Sequence, residues 1–302
     1  MIFFLTEINF FLSDLLTLHA DMRYVRWIVP AIVLLLLVAW GGMKLLEKRW
    51  AYVLLPAKEM EPYPVGPKTG DSLRVLMIGD SWAGLHHESG CDPLMTRLLA
   101  DAVGGKAVFE ANGRGGAKSG GIYRLMFRQT APAADMRHGF CTQPQIERRP
   151  DYCIVMAGIN DAAANYGTEA YCTNYRHILQ LLLSAGIRPV VVEMPFVDIW
   201  KWREKRPFKD FVVDCLRSLM TDCKMYDVRP YSEALLDSLA ARGLAGKVLT
   251  VRKEQWNADG ADDSRGLYLA DRIHLNARGY AALDSCLAAT IAADWKSAGK
   301  QP

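Results

Sequence analysis

The chain has 302 residues, of which 51% are hydrophobic and 23% are charged, and its formal net charge is +3. This composition predicts a sizeable globular core and excludes an intrinsically disordered chain, and the length allows one large domain or two modest ones. The small and evenly spread positive charge argues against a nucleic-acid partner.

An apolar segment near the N-terminus predicts a membrane anchor. No charged residue occurs in the seventeen positions from Trp27 to Met43, and a helix of that length spans about 25 Å, slightly less than a hydrocarbon core of about 30 Å. Because Lys44 can snorkel, we expect one transmembrane helix over residues 22–47 that contacts the membrane through residues 27–46. The alternatives are a buried core helix and a cleaved signal peptide, although no small-x-small cleavage site follows the run.

The sequences around this segment set the expected domain organisation. Residues 1–21 form an N-terminal extension, either an interfacial helix or an upstream piece that is not normally translated, with Met22 as the alternative start. Residues 48–70 are rich in proline and glycine and predict a linker. Residues 71–296 form the folded domain and residues 297–302 a tail. Basic residues flank the apolar segment on both sides, and a strict count slightly favours a cytoplasmic domain.

After residue 70, apolar strand-like runs alternate with amphipathic helical patterns. This alternation predicts an α/β fold in which helices cover both faces of a five-stranded, mostly parallel sheet. The expected strands are Arg74–Ile78, Ala107–Ala111, Tyr152–Ala157, Arg188–Glu193 and Met225–Val228, and the expected helices are Pro93–Val103, Gly120–Gln129, Ala170–Ala185, Phe208–Thr221, Ser232–Ala241 and Ala277–Trp295. Ligands of such sheets bind beyond the carboxyl ends of the strands. Ser81, Gly113 and Asn160 follow the first three strands.

The seven cysteines contain no Cys-x-x-Cys pair of the kind that binds zinc. Cys153 lies inside an apolar strand and is expected to be buried and free. Pairing among the others requires an oxidising compartment, and Cys215 with Cys223 is the first candidate pair.

Two motifs far apart in the chain carry the reactive groups. Ser81 follows a buried strand in the triplet Gly79-Asp80-Ser81, and Asp271-Arg-Ile-His274 supplies an imidazole with a carboxylate three residues before it. A serine hydroxyl is a weak nucleophile that needs a base and a group that orients the base. The two motifs together predict acyl transfer through a serine ester, although each alone also occurs in ordinary turns and helix caps.

Four short segments, in this order, resemble the blocks of the SGNH (GDSL-like) hydrolase superfamily and cover roughly residues 71–295. They are Val75–Trp82, Asn112–Gly116, Gly158–Asp161 and Asp271–His274. The resemblance implies a flavodoxin-like, three-layer α/β/α fold.

The resemblance also implies a role for each matching residue. Ser81 corresponds to the nucleophile, His274 to the general base and Asp271 to the residue that orients the imidazole. The backbone amides of Ser81 and Gly113 and the side chain of Asn160 correspond to the oxyanion hole. No metal or organic cofactor is implied.

Two positions depart from the family pattern. Leu275 stands where proline is more frequent, and Trp82 stands where a smaller residue is common. The tryptophan is expected to narrow the acyl pocket, which favours a small acyl group such as acetyl. Asp80 and Asp161 are expected to fix their loops without taking part in bond breaking.

Two further features have open roles. Residues 200–208 (Trp-Lys-Trp-Arg-Glu-Lys-Arg-Pro-Phe) combine aromatic and basic side chains, which suits a lid, a sugar-stacking element, a contact with lipid headgroups or a mobile surface loop.

His86 and His87 are neighbours, so their side chains diverge on a helix or a strand. Loop histidines near the pocket mouth are therefore favoured over a metal site.

The residues and the resemblance together predict a membrane-anchored serine ester hydrolase. It would remove an O-acyl group, expected to be acetyl, from a carbohydrate or lipid through an acyl-Ser81 intermediate. The cysteines and the resemblance favour a single-pass protein with an extracytoplasmic catalytic domain. The first alternative is an O-acyltransferase that uses the same residues on a cell-surface polysaccharide. The others are a non-catalytic binding or assembly protein and a lysophospholipase or thioesterase.

Overall fold

The structure is a computed structural model that describes residues 27–38, 40–42, 55–68, 70–221 and 223–299. The chain divides into two compact units, one within residues 1–53 and the other within residues 54–302. The predicted extension (1–21) and the outer parts of the predicted linker and tail (48–54 and 300–302) lie outside the described residues.

In the first unit, residues 27–38 and 40–42 are helical. No helix in the described part of the chain combines the length and the apolar character that crossing a membrane requires. The expected transmembrane helix over residues 22–47 is therefore not supported. The remaining residues of that segment, 22–26, 39 and 43–47, lie outside the described ranges.

The second unit is built on one parallel sheet with the strand order β2-β1-β3-β4-β5. The strands are β1 (Leu73–Gly79), β2 (Ala107–Gly113), β3 (Tyr152–Met156), β4 (Arg188–Val192) and β5 (Leu249–Val251). At the carboxyl end of β1, Gly79 is in register with Gly113 of β2 and with Met156 of β3. The predicted five-stranded α/β fold is confirmed, and this strand order is the flavodoxin-like one.

Helices pack on the sheet in two groups. They are α1 (Ser81–Glu88), α2 (Asp92–Val103), α3 (Ser119–Leu125), α4 (Ala133–Arg137), α5 (Gln143–Glu147), α6 (Ile159–Ala163), α7 (Thr168–Ser184), α8 (Ile199–Arg203), α9 (Phe208–Met220), α10 (Arg229–Ala241) and α11 (Ala277–Ser297), with short 3-10 turns at Lys253–Gln255 and Gly260–Asp262. Helix α11 packs against α2, whereas α7 packs against α3 and α10. Strand β3 is buried along its whole length, as expected when both faces of a sheet are covered.

The fifth strand is not where the sequence predicted it. Met225–Val228 forms a turn in which Tyr226 has a left-handed backbone (φ 59°), and this turn leads into helix α10. The edge strand is instead Leu249–Val251. The other four strands are confirmed to within two residues at each end.

Part of the predicted linker packs against the domain. The Ala57 amide donates a hydrogen bond to Asn174 Oδ1 at 2.7 Å, and the Met60 amide donates to the Tyr123 hydroxyl at 2.9 Å. Lys68 forms an ion pair with Asp151 at 2.8 Å. Residues 55–68 therefore follow the surface of the folded domain.

None of the seven cysteines, all of which lie in the described residues, forms a disulfide bond. Cys153 is buried in strand β3, as expected, and burial raises the pKa of its thiol. The expected pairing of Cys215 with Cys223 is wrong. Helix α9 continues for more than a turn after Cys215 and carries the chain away from it, and Cys223 lies buried beyond the end of that helix.

Candidate active site

Ser81 lies at the junction of strand β1 and helix α1. The side chain of Asp80 caps the helix by accepting a hydrogen bond from the Trp82 amide at 3.0 Å. Gly79 permits this tight junction, because a Cβ atom there would lie 2.2 Å from the Met156 carbonyl oxygen. As the first residue of α1, Ser81 presents an N–H group that has no partner within the helix. The helix dipole favours negative charge at this end.

Ser81, His274 and Asp271 form a continuous hydrogen-bonded triad. His274 Nε2 lies 2.9 Å from Ser81 Oγ, and His274 Nδ1 lies 2.7 Å from Asp271 Oδ2. Asp271 Oδ1 also accepts hydrogen bonds from the backbone amides of Ile273 and His274, at 2.9 and 3.0 Å. Burial raises the pKa of Asp271, but these hydrogen bonds outweigh it and hold the pKa below its ordinary value. Because the carboxylate can only accept, Nδ1 carries the ring proton and Nε2 accepts from the serine hydroxyl.

Trp82 does not narrow the acyl pocket, contrary to the expectation from the sequence. Its side chain is fully buried, and it packs edge-on against Trp256 with 6.1 Å between the ring centroids. Its indole N–H donates a hydrogen bond to the carbonyl oxygen of Ile273, the residue before His274, at 3.0 Å. Trp82 therefore joins the serine helix to the histidine loop. The preference for a small acyl group loses this support.

Two of the three predicted oxyanion residues, Ser81 and Asn160, line one cleft. Asn160 lines this cleft, and its Nδ2 donates a hydrogen bond to Asp80 Oδ2 at 3.2 Å. The second N–H of that amide is left for another acceptor. Gly113 packs under helix α1, where a Cβ atom would lie 2.3 Å from the Asp80 carbonyl oxygen. Gly115 and Gly116, which belong to the predicted segment Asn112–Gly116, line the cleft.

Two buried carboxylates brace the loop that carries Asn160. Burial raises the pKa of Asp80 to about 7 and the pKa of Asp161 to about 6, against the hydrogen bonds that each accepts. Asp161 accepts hydrogen bonds from the Ser119 hydroxyl at 2.6 Å and from the Ser119 amide at 2.9 Å. Asn174 in turn donates to the Ser119 hydroxyl at 3.2 Å. These contacts agree with a loop-fixing role for both aspartates.

The cleft beside Ser81 and His274 has a volume of about 320 Å³. It is lined by Ser81, Gly84, Leu85, Glu88, Gly115, Gly116, Ile159, Asn160, Trp202, Ile273 and His274. Glu88 could not be recognised from the sequence, since it belongs to no motif. For Trp202, the one indication in the sequence was its position in the aromatic and basic segment 200–208.

His86 is not a loop histidine at the pocket mouth. It lies in helix α1 and is fully buried, with Nδ1 2.8 Å from Asp92 and Nε2 3.1 Å from Asp284. Burial lowers the pKa of His86, but the hydrogen bonds with the two carboxylates outweigh this and raise it to about 9. His87 is exposed and contacts Asp92 at 2.7 Å. The two side chains do not diverge as expected, because both contact the carboxylate of Asp92, and the helix places His86 in the core.

Comparison with known proteins places these residues within a described family. The model of the GDSL-like lipase/acylhydrolase family matches residues 77–282. No curated protein matches the chain.

Among solved structures, the chain is similar to a psychrotrophic esterase from Pseudoalteromonas sp., with 16% identity, a TM-score of 0.47, and coverage of 75% of this chain and 100% of the other. It is also similar to a GDSL-like lipase from Bacteroides thetaiotaomicron, with 17% identity, a TM-score of 0.46, and coverage of 83% and 97%. A third similar structure is a carbohydrate esterase family 3 protein from Talaromyces cellulolyticus, with 14% identity, a TM-score of 0.46, and coverage of 74% and 99%.

Proposed function

The chain belongs to the GDSL-like lipase/acylhydrolase family and is a serine ester hydrolase, and on this premise we propose that it removes a short O-acyl group, acetyl in the first instance, from a carbohydrate or lipid. Ser81 is the nucleophile, His274 the general base and Asp271 the residue that orients the imidazole. The observation that carries the proposal is the triad geometry, with 2.9 Å from Ser81 Oγ to His274 Nε2 and 2.7 Å from His274 Nδ1 to Asp271.

In the proposed reaction, Ser81 Oγ attacks the ester carbonyl carbon while its proton passes to His274 Nε2. The charge on the former carbonyl oxygen is stabilised by the Ser81 amide, an amide of the 113–116 loop and the side chain of Asn160. The C–O bond to the alcohol then breaks, the alkoxide takes the proton from His274, and an acyl-Ser81 ester remains. Water then attacks this ester and gives its proton to His274, which returns a proton to Ser81 Oγ as the acyl bond breaks. This releases the carboxylic acid and restores the serine.

The size of the cleft supports a short acyl group. At about 320 Å³ it is near the lower end of the range for small-molecule sites. Among the described residues that line it, the aliphatic side chains are Leu85, Ile159 and Ile273, a small apolar surface for a long hydrocarbon chain.

A series of nitrophenyl esters of increasing chain length tests this proposal. We expect the highest kcat/KM with acetyl, and Ser81→Ala should lose more than about 10³ in kcat with every ester. An optimum at a long chain would overturn the choice of acyl group, and turnover by Ser81→Ala would overturn the nucleophile. The amounts of free acetate and of acetylated glycan acceptor formed in one reaction then separate hydrolysis from acyl transfer. Both reactions begin with the same acyl-Ser81 ester.

Location is a separate proposal that rests on the sequence alone. The apolar run between Trp27 and Met43 supports attachment to a membrane, and the family resemblance favours a catalytic unit outside the cytoplasm. Protease digestion of spheroplasts, with the cytoplasmic membrane intact or opened by detergent, tests a location on the periplasmic or cell-surface side. Cleavage of the catalytic unit only after the cytoplasmic membrane is opened would contradict it.

A further inference from the structure

Trp202 is an exposed aromatic side chain in the active-site cleft. It lines the same cleft as Ser81 and His274, and 41% of its surface is exposed. Among the described residues that line this cleft, Trp202 is the only tryptophan, tyrosine or phenylalanine. Aromatic side chains in a concave site beside a few polar groups are typical of ligand contacts.

The histidine loop holds the helix that carries Trp202. Helix α8 begins after Asp198, whose amide donates a hydrogen bond to the Arg272 carbonyl oxygen at 3.2 Å. The Asp198 carboxylate also pairs with the Arg272 guanidinium at 3.3 Å and caps α8 by accepting from the Lys201 amide at 3.0 Å. Arg272 lies two residues before His274, so the position of Trp202 is set relative to the base.

Arg203 and Arg206 contact the ring of Trp202, with their guanidinium groups 4.9 and 5.9 Å from its centroid. The Arg203 guanidinium also lies 5.6 Å from the Tyr226 ring. It also donates a hydrogen bond to the carbonyl oxygen of Ala163, the last residue of the helix that contains Asn160. Because the ring is already held in place, a ligand that packs on it loses little side-chain entropy.

We propose that Trp202 is the contact for a pyranose ring in the alcohol part of the ester, so that the substrate is an O-acylated carbohydrate. The leaving oxygen must lie beside His274 Nε2 to receive its proton, and a ring attached to that oxygen is within the cleft that Trp202 lines. The C–H groups of a sugar pack on an aromatic face, and Glu88 in the same cleft accepts hydrogen bonds from sugar hydroxyls. This inference rests on the serine esterase activity proposed above.

The test compares two acetyl esters of polyols, one with a sugar ring and one without. β-D-Glucose pentaacetate contains a pyranose ring, whereas triacetin is acyclic. Acetate release by the full chain is followed in a pH-stat. Trp202→Ala is expected to lower the ratio of kcat/KM for the pentaacetate to kcat/KM for triacetin by about 5- to 10-fold, mainly through KM for the pentaacetate. The ratio of the two values does not depend on the fraction of folded enzyme.

Two variants serve as controls. Trp202→Phe keeps an aromatic ring and should recover most of the wild-type ratio. Trp200→Ala removes the neighbouring exposed tryptophan, which packs on Tyr226 at 4.9 Å and does not line the cleft, and should leave the ratio unchanged.

Three results would overturn the proposal. These are an unchanged ratio in Trp202→Ala, an equal loss in Trp200→Ala, and an altered preference for acyl-chain length, which would place the ring on the acyl side. Failure of the wild type to hydrolyse either ester would instead contradict the proposed esterase activity, so the two failures are distinguishable.

Discussion

Replacing His86 by glutamine is expected to destabilise the fold strongly near neutral pH and weakly at alkaline pH. His86 is fully buried on the helix that begins at Ser81, and its ring nitrogens contact Asp92 at 2.8 Å and Asp284 at 3.1 Å. Burial lowers the pKa of His86, but the hydrogen bonds with Asp284 and Asp92 raise it to about 9.

The sign and size of the effect follow from this pKa. Because the pKa of His86 in the folded state lies above its ordinary value of 6.5, the protonated ring contributes stability that is fully present below pH 6.5 and is lost as the pH rises through about 9. A shift of this size corresponds to about 3 kcal/mol. Glutamine occupies a similar volume without a charge. The variant should therefore lose about 3 kcal/mol of unfolding free energy at pH 6 and less than about 1 kcal/mol at pH 10.

Urea unfolding followed by tryptophan fluorescence at pH 6 and pH 10 measures this difference. His87→Gln is the matched control, because His87 contacts the same Asp92 at 2.7 Å but its side chain is 65% exposed. An exposed ion pair of this kind contributes less than about 1 kcal/mol. The reasoning is refuted if His86→Gln loses the same free energy at both pH values, or if His87→Gln is destabilised as much as His86→Gln.

Three further predictions concern two catalytic groups and Trp82, which joins the segments that carry them. Asn160→Ala should lower kcat by about 10²–10³ in steady-state assays, because it removes a donor to the oxyanion; a change in KM alone would contradict this role. Trp82→Phe should lower the unfolding free energy by about 1–3 kcal/mol in urea titrations, because the buried Ile273 carbonyl loses its donor; an unchanged midpoint would show that the hydrogen bond is unimportant. Asp271→Asn should lower kcat less than Ser81→Ala does, because His274 remains near the serine; an equal loss would contradict a purely orienting role.

Most of the fold could be predicted from the sequence because four of its strands are long enough to show a pattern. Strands β1, β3 and β4 are mostly apolar and almost wholly buried, whereas in the edge strand β2 the buried residues Phe109 and Ala111 alternate with less buried ones. Strand β5 has three residues, too few to show a period. The apolar residues of Met225–Val228 suggested a strand there, but tertiary packing buries them in a turn in which Tyr226 has a positive φ.

The reacting groups could be proposed from the sequence because each lies in a short local motif. The roles of the residues around them could not, since they depend on contacts between distant parts of the chain. The indole of Trp82 bonds to a carbonyl 191 residues away, and His86 pairs with a carboxylate 198 residues away. Contacts between such distant residues produce no periodic pattern in the sequence from which they could be predicted. The position of Trp202 likewise depends on the ion pair between Asp198 and the histidine loop.

Fluorophosphonate labelling followed by peptide mass mapping tests the central claim most directly, because the probe forms a covalent bond with an activated serine oxygen. In the wild-type chain, we predict a single adduct on Ser81. In a His274→Ala variant with an unchanged circular dichroism spectrum, we predict that the labelling rate falls by at least about 10³. An adduct on another residue, or equal labelling rates in the two proteins, would contradict the account.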